Sequence, residues 1–257
     1  MKTKIIYIAK TIAPFVFFIC MWLVAISFSK INRALLPAPQ DVFFALKEFV
    51  ASRTLIPDIS SSLFRAIAGF AIGGSLGLAC GSLTARIPFL NWLISPIFNG
   101  LRALPPVSIV PLVIVWAGMG ESGKIFITSW AAFFPVWLNT HDGITSVDKN
   151  IIWAARSLGA KNMHLLFDVI LPSAIPRIVI GFRLAVSTTL VCVIVAEMTG
   201  ATVGLGYRLE LAYLVFRVDR MIACLLVLAI IGISADRLFA RFSSIIFPWI
   251  ALRHELK

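Results

Sequence analysis

The chain has 257 residues, 60% of them hydrophobic and only 14% charged, with a mean hydropathy of +0.95 and a formal net charge of +11. Soluble domains carry roughly 25% charged residues, so this composition argues against a soluble fold. The basic residues are scattered rather than gathered on one face, which argues against a nucleic-acid surface.

Four windows carry no charge at all: residues 11–29, 66–85, 103–120 and 125–141. A helix needs about 20 mostly apolar residues to cross the hydrocarbon core. These windows, with two near-matches downstream, predict an all-α membrane protein with about six transmembrane helices. The first is expected over Ile12–Phe28, an apolar run longer than the roughly 7–15 residues of a signal-peptide core. Leu36-Pro37-Ala38-Pro39 then interrupts helical structure. Gln40–Ala51 sets Val42, Phe43, Leu46 and Val50 on one face, with Asp41, Lys47 and Glu48 on the other. It is too short to span and is expected to lie at the interface or pack on the bundle.

The second span is predicted over Ser62–Thr84 and holds Gly69, Gly73, Gly77 and Gly81, one every four residues. Glycine is a poor helix former. Its repetition along one face predicts close approach of another helix, with a role in transport as the alternative. The third span is interrupted: residues 88–104 and 107–118 flank Pro105-Pro106, and Arg102 stands beside the break. Proline removes a helix donor, and irregular backbone at membrane depth must be buried in protein or line a water-filled cavity. Arg102 is thus either a cavity-lining cation or an arginine that bonds freed carbonyls or snorkels to the interface. Further spans are predicted over Lys124–Asn139, Ala174–Met198 and Arg220–Phe242. The fifth contains Arg183 and ends near Glu197. These residues are 14 apart, about 21 Å along a helix, so each needs its own partner. Both are candidates for the pathway, with an interfacial structural role open for Glu197. Cys20, Cys80, Cys192 and Cys224 fall in apolar windows without metal-ligand spacing and read as small packing residues.

Between the fourth and fifth spans the chain turns amphipathic. Asp148 suits an N-cap and the positive end of a helix dipole. Gly159 suits a left-handed helix stop, a second helix is expected from about Lys161, and Pro172 marks entry to the fifth span. A compact helix–turn–helix follows, with Ile151, Ala154, Ala155 and Leu158 predicted to form a small apolar face for helix-in-groove docking.

This segment resembles the cytoplasmic signature of the binding-protein-dependent ABC importer permeases: Glu-Ala-Ala, three residues, Gly, nine residues, Ile, one residue, Leu-Pro. Here it reads Trp153-Ala154-Ala155, Gly159, Val169, Leu171-Pro172. Trp153 departs from the signature glutamate, and Val169 replaces isoleucine. Further matching stretches lie in order over residues 36–245: Ser62-Leu63-Phe64-Arg65, Leu104-Pro105-Pro106, Phe133-Phe134-Pro135, Val195-Ala196-Glu197-Met198 and Gly204-Leu205-Gly206-Tyr207 among them. They resemble the branch that handles sulfonates, taurine, nitrate and bicarbonate.

The resemblance implies a second copy of the permease, two cytoplasmic ABC ATPases holding ATP and Mg, and an extracytoplasmic substrate-binding protein. It implies a multi-pass protein of the bacterial inner membrane. It makes Ala154, Ala155, Leu158, Gly159, Leu171 and Pro172 the ATPase-coupling residues. Arg102, Pro105, Pro106, Arg183 and Glu197 are then the pathway candidates. The expected organisation is an N-terminal part over 1–61, a permease core over 62–245 with the coupling loop at 146–172, and a cytoplasmic tail over 246–257. No phosphate loop of the G-x-x-x-x-G-K-[ST] type occurs, and no Ser/His/Asp set, so ATP hydrolysis is assigned to a partner and this chain is not read as an enzyme. A self-sufficient carrier or channel is the alternative, weakened by the lack of similarity between the two halves.

Overall fold

The computed structural model describes residues 13–26, apart from 15 and 18, and residues 35–249. Among the described residues there is helix and no strand. The expected first span lies partly outside these residues, although 13, 14, 16, 17 and 19–26 are helical. Most of the expected tail, residues 250–257, also lies outside them. Contacts divide the chain into two units, residues 1–56 with 208–227 and residues 57–207 with 228–257.

In the first unit, α1 (Pro39–Ala51) starts with proline at its first position, and the Asp41 carboxylate accepts from the Ala38 N–H at 2.9 Å. It buries Val42, Ala45 and Phe49. The buried face is therefore rotated from the expected one: Phe43 and Val50 are exposed. Period alone cannot choose between two apolar flanks of one helix; the packing partner does. On its polar side, Glu48 accepts from Arg220 at 2.6 Å.

The second unit is built around α5 (Glu121–Thr145), which packs against both α2 (Leu55–Arg86) and α7 (Leu171–Met198). The α2 glycines explain the first contact. A Cβ at Gly69 or Gly73 would overlap Thr128 or the Ser129 carbonyl, and one at Gly77 would stand 2.6 Å from the Phe133 carbonyl. Gly181 of α7 meets α5 in the same manner: a Cβ there would stand 2.9 Å from the Pro135 carbonyl. Lipid tails are as apolar as leucine, so packing and hydrogen bonds hold such helices together rather than hydrophobic transfer. The pattern of α2 is accordingly inverted from that of a soluble helix. It buries Asp58, Ser62, Arg65, four glycines of the stripe and Thr84, while Phe64, Ile67, Leu76 and Leu83 face outward.

Among the described residues, three helical stretches are long and apolar enough to cross a membrane: α2, residues 162–198 ending in α7, and α9 (Val218–Ile246). A fourth span results if α3 (Pro88–Arg102) and the 3₁₀ turn with α4 (Val110–Ala117) count as one, bent by 91°. At 25 residues α5 is long enough, at about 1.5 Å per residue, to span. Its apolarity is diluted by Thr128, Asn139, Thr140 and other side chains turned to neighbouring helices. A short helix α8 (Leu205–Leu214) precedes α9.

Candidate pathway and coupling sites

The coupling segment forms as a hairpin. Asp148 caps α6 (Lys149–Ser157), its carboxylate accepting from the Asn150 N–H at 2.8 Å. The helix stops at Gly159, φ +87°, where the Gly159 N–H donates to the Arg156 carbonyl and the Ala160 N–H to the Ala155 carbonyl. That pair of bonds is the Schellman arrangement, which needs a left-handed residue. The return arm begins with one helical turn, Asn162–His164, and passes through a π-helical turn, Leu165–Ile170, into α7. Pro172 stands in the first turn of α7, at the entry to the fifth span, and the second helix runs on into that span without a break. Proline lacks the N–H that would continue the α-helical ladder, and the wider turn, with the Leu171 N–H donating to the Leu166 carbonyl, carries the helix past it.

The expected docking face is split. Ala155 and Ile152 turn inward against a core of Ile144, Leu165, Ile170 and Ala174. Ala154, Leu158 and Gly159 are exposed, Leu158 to 89%. Leu171 and Pro172 are half-buried at the root of the hairpin.

At the broken span, α3 ends at Arg102 and a tight turn follows, where Ser108 donates through both its N–H and its hydroxyl to the Pro105 carbonyl. Beyond it, Val110 and Val113 anchor α4 against Ile127 and Ala131 of α5 and Cys192 and Ala196 of α7. The other side is uncovered: α3 buries none of its residues. Arg102 is exposed and donates through Nε to the Asn99 side chain at 2.9 Å. No carboxylate pairs with it among the described residues.

The other pathway candidates differ from Arg102. Arg183 of α7 makes a two-point bond to Asp236 of α9, Nε and Nη2 each at 2.7 Å, with half its side chain exposed. Glu197 has no exposed surface. One of its oxygens accepts from Arg65 Nη1 at 2.7 Å and the other from the Gly206 N–H at 2.8 Å, while Ser62 donates between them. Arg65 in turn holds Glu121 by two bonds of 2.7 Å and donates to the Val203 carbonyl. Asp58 accepts from the Gly204 N–H, and Ser62 from the Leu205 N–H. The N–H groups left open at the start of α8 are thus taken up by side chains from α2 and α7. Gly204, φ +139°, lies so close that a Cβ would sit 2.5 Å from the Glu197 carboxylate, and one on Gly206 would overlap the Ile194 carbonyl. That contact is why the Gly204-Leu205-Gly206 stretch needs its glycines.

Glu197, a pathway candidate with an interfacial structural role open, lies fully buried in an ion cluster whose outer member, Glu121, is half exposed. The partners Asp58, Ser62, Arg65 and Glu121 were not singled out from the sequence as a group. A signal was present: Asp58, Ser62 and Arg65 follow one another at steps of four and three, in line with the glycine stripe. Arg65 and Lys124 count as solvent-side charges in a sequence reading, yet both are buried; Lys124 donates to the Met119 carbonyl at 2.7 Å.

A helical chain with apolar helices of spanning length, a bent helix pair and an exposed hairpin has the build of a membrane-spanning protein. The chain belongs to the family of binding-protein-dependent transport system inner membrane components, whose model matches residues 73–246. It is 34% identical over 218 residues to a protein of Brucella melitensis described as a probable ABC transporter permease, covering 85% of this chain and 89% of that one. It is 31% identical over 231 residues to a protein of Bacillus subtilis named for aliphatic sulfonates transport, covering 90% and 84%. It is 30% identical over 234 residues to the taurine transport system permease of Escherichia coli, covering 89% and 85%. A crystal structure of an amino acid ABC transporter shares the fold, with a TM-score of 0.61 at 19% identity over 79% of this chain and 97% of that one. The protein is a permease subunit of an ABC importer, a transport component and not an enzyme.

Proposed function

We propose that this chain pairs with a second copy of itself to import a small anion of the sulfonate, taurine, nitrate or bicarbonate class. An extracytoplasmic binding protein delivers the solute. Two cytoplasmic ABC ATPases, which hold the ATP and Mg, dock on the hairpin of residues 146–172. The chain crosses the membrane six times: a helix containing residues 13, 14, 16, 17 and 19–26, then α2, the α3–α4 pair, α5, α7 and α9. Both termini then face the cytoplasm. In that orientation 12 Lys and Arg lie inside and 9 outside, the sign that basic-residue bias requires. Setting aside the buried Arg65 and Lys124 lowers the outer count to 9 − 2 = 7.

The observation that carries the anion reading is Arg102, exposed beside the broken span and lacking a carboxylate partner among the described residues. An arginine left in hydrocarbon costs roughly 2.5–3.5 kcal/mol on insertion scales. A water-filled cavity between two permease copies removes that cost, and it leaves the cation available to solute. The names of the sulfonate and taurine relatives support the same solute class. Residues 102–111 line the pathway in this reading. Arg183, already neutralised by Asp236, contributes little attraction for an anion. Glu197 contributes to assembly.

The test is uptake of labelled taurine, an alkanesulfonate, nitrate and bicarbonate in cells producing the complete importer. Saturable, ATP-dependent uptake of one of these that needs this chain is expected. Import restricted to cations or neutral solutes would overturn the anion reading. For orientation, single cysteines replace Thr202, exposed beside the buried Ala201, and Lys257 in a cysteine-free background. An impermeant thiol reagent applied to intact cells should label position 202, and labelling at 257 instead would overturn the topology.

A further inference from the structure

We infer that Trp153, set between Lys149 and Arg156, is the anchor by which this permease selects its ATPase, and that the ATPase receives it in an apolar pocket rimmed by carboxylates. The inference rests on the reading that the hairpin docks an ATPase and adds which residue decides the fit.

The orientation of α6 leads to this residue. Ile152 and Ala155 are the side chains of α6 packed on the hairpin core. At 100° per residue, Trp153 lies about 130° round the helix from the direction midway between them. The indole therefore projects away from the core, and it is 60% exposed. Of the residues on the outward side, Asn150, Ala154 and Ser157 are small or polar. Trp153 is the large apolar group on that side, and Leu158, exposed at the end of the helix, extends its apolar surface. A tryptophan held outward on a capped helix offers much apolar area with little side-chain freedom to lose, which is why tryptophan is enriched among binding hot spots.

Its neighbours give the pocket its charge. On a helix, residues three and four apart share a face, so Trp153 stands between Lys149, four before, and Arg156, three after. Lys161 follows beyond the turn. All three cations are exposed, and no carboxylate pairs with them among the described residues. The nearby Asp148 is engaged at the N-cap, and Asp168 bonds His164 at 3.2 Å. A partner that accepts the indole and leaves these cations opposite neutral or basic groups would forfeit the electrostatic complementarity that steers docking. A partner with acidic residues on the pocket rim gains it. In this chain the residue that the Glu-Ala-Ala signature makes acidic is an apolar aromatic, so an ATPase surface built to meet a carboxylate is the wrong one for it.

The experiment measures binding of the purified ATPase subunit, encoded with this permease, to permease in detergent or nanodiscs. Trp153→Ala should weaken binding at least tenfold. Trp153→Phe should stay within about threefold, and Trp153→Glu should be at least as weak as Trp153→Ala. Arg156→Glu should weaken binding and flatten its dependence on salt. Because Trp153 is exposed, thermal stability of the permease should not change, and that measurement accompanies each variant. Native affinity in Trp153→Ala, or tighter binding in Trp153→Glu, overturns the inference while leaving the coupling reading intact. Failure of the unaltered permease to bind the ATPase, in a system that still transports, overturns the coupling reading itself.

Discussion

Arg183 and Glu197 stand on the same helix, and the protein treats them in opposite ways. Glu197 is enclosed, with four hydrogen bonds drawn from Ser62, Arg65 and the Gly206 N–H. Arg183 has a single partner, Asp236, and half its side chain is uncovered. A charge with every bonding site met by fixed protein groups holds structure together. A charge with one partner and open surface remains able to respond to whatever covers that surface. Arg102, exposed and with only an amide partner within three residues, extends the series to a charge that neighbouring carboxylates do not balance. Ionisable residues in spans are thus not one class; burial and partner count sort them.

The largest effect expected is at the enclosed end. Arg65→Leu removes the cation that Glu197 and Glu121 share and leaves a fully buried carboxylate unbalanced. Breaking a buried pair in this way costs about 3–5 kcal/mol. Folded yield and melting temperature in detergent should fall sharply, and Glu197→Gln, which keeps acceptor and shape, should fall less. Equal stability of Arg65→Leu and the native protein would place Glu197 with the adaptable charges.

Gly73→Leu comes next. The cluster exists only because α2 lies close enough to α5 and α7 for Arg65 and Ser62 to reach Glu197. A side chain at Gly73 meets the Ser129 carbonyl and forces the helices apart. Overpacking of this kind costs about 1–3 kcal/mol. The melting temperature should drop, and the loss should combine less than additively with Arg65→Leu, because the two changes damage one contact.

Arg183 and Asp236 should give a smaller number. Exposed ion pairs contribute about 0.2–1 kcal/mol, so a double-mutant cycle of Arg183→Gln and Asp236→Asn in the isolated subunit should return a coupling in that range. A coupling several times larger would show that the pair is enclosed in the working assembly.

Arg102→Gln closes the series. Stability should stay within about 0.5 kcal/mol, the usual range for surface changes, while uptake at low anion concentration falls. Arg102→Lys should lose less if charge alone attracts the solute, and more if the planar fork binds it. Unchanged uptake in both, with a cysteine at 102 unreactive in resting and ATP-bound importer, would make Arg102 a structural residue.

The sequence by itself determined the solvent, the family and the local punctuation. Charge-free windows mark α2, the α4 segment and α5 as stretches suited to a membrane. Pro105-Pro106 marks the bend, and Asp148 and Gly159 mark the two ends of α6, because cap and left-handed requirements are properties of single residues. The glycine stripe signals a close helix neighbour, since only a missing Cβ allows it. Tertiary structure alone decided the rest. Hydropathy marks α5 through its charge-free window but does not tell that Thr128 and Thr140 are buried against neighbouring helices. It was equally unable to assign Arg65, which a linear reading puts at a membrane edge and which packing brings to Glu197 132 positions away. The outward face of α6 was settled in the same manner: Ala155 and Trp153 both fit an amphipathic pattern, and only the hairpin core, by taking Ile152 and Ala155, turned Trp153 outward. Sequence records which side chains can be buried, and the arrangement of neighbouring helices selects which ones are.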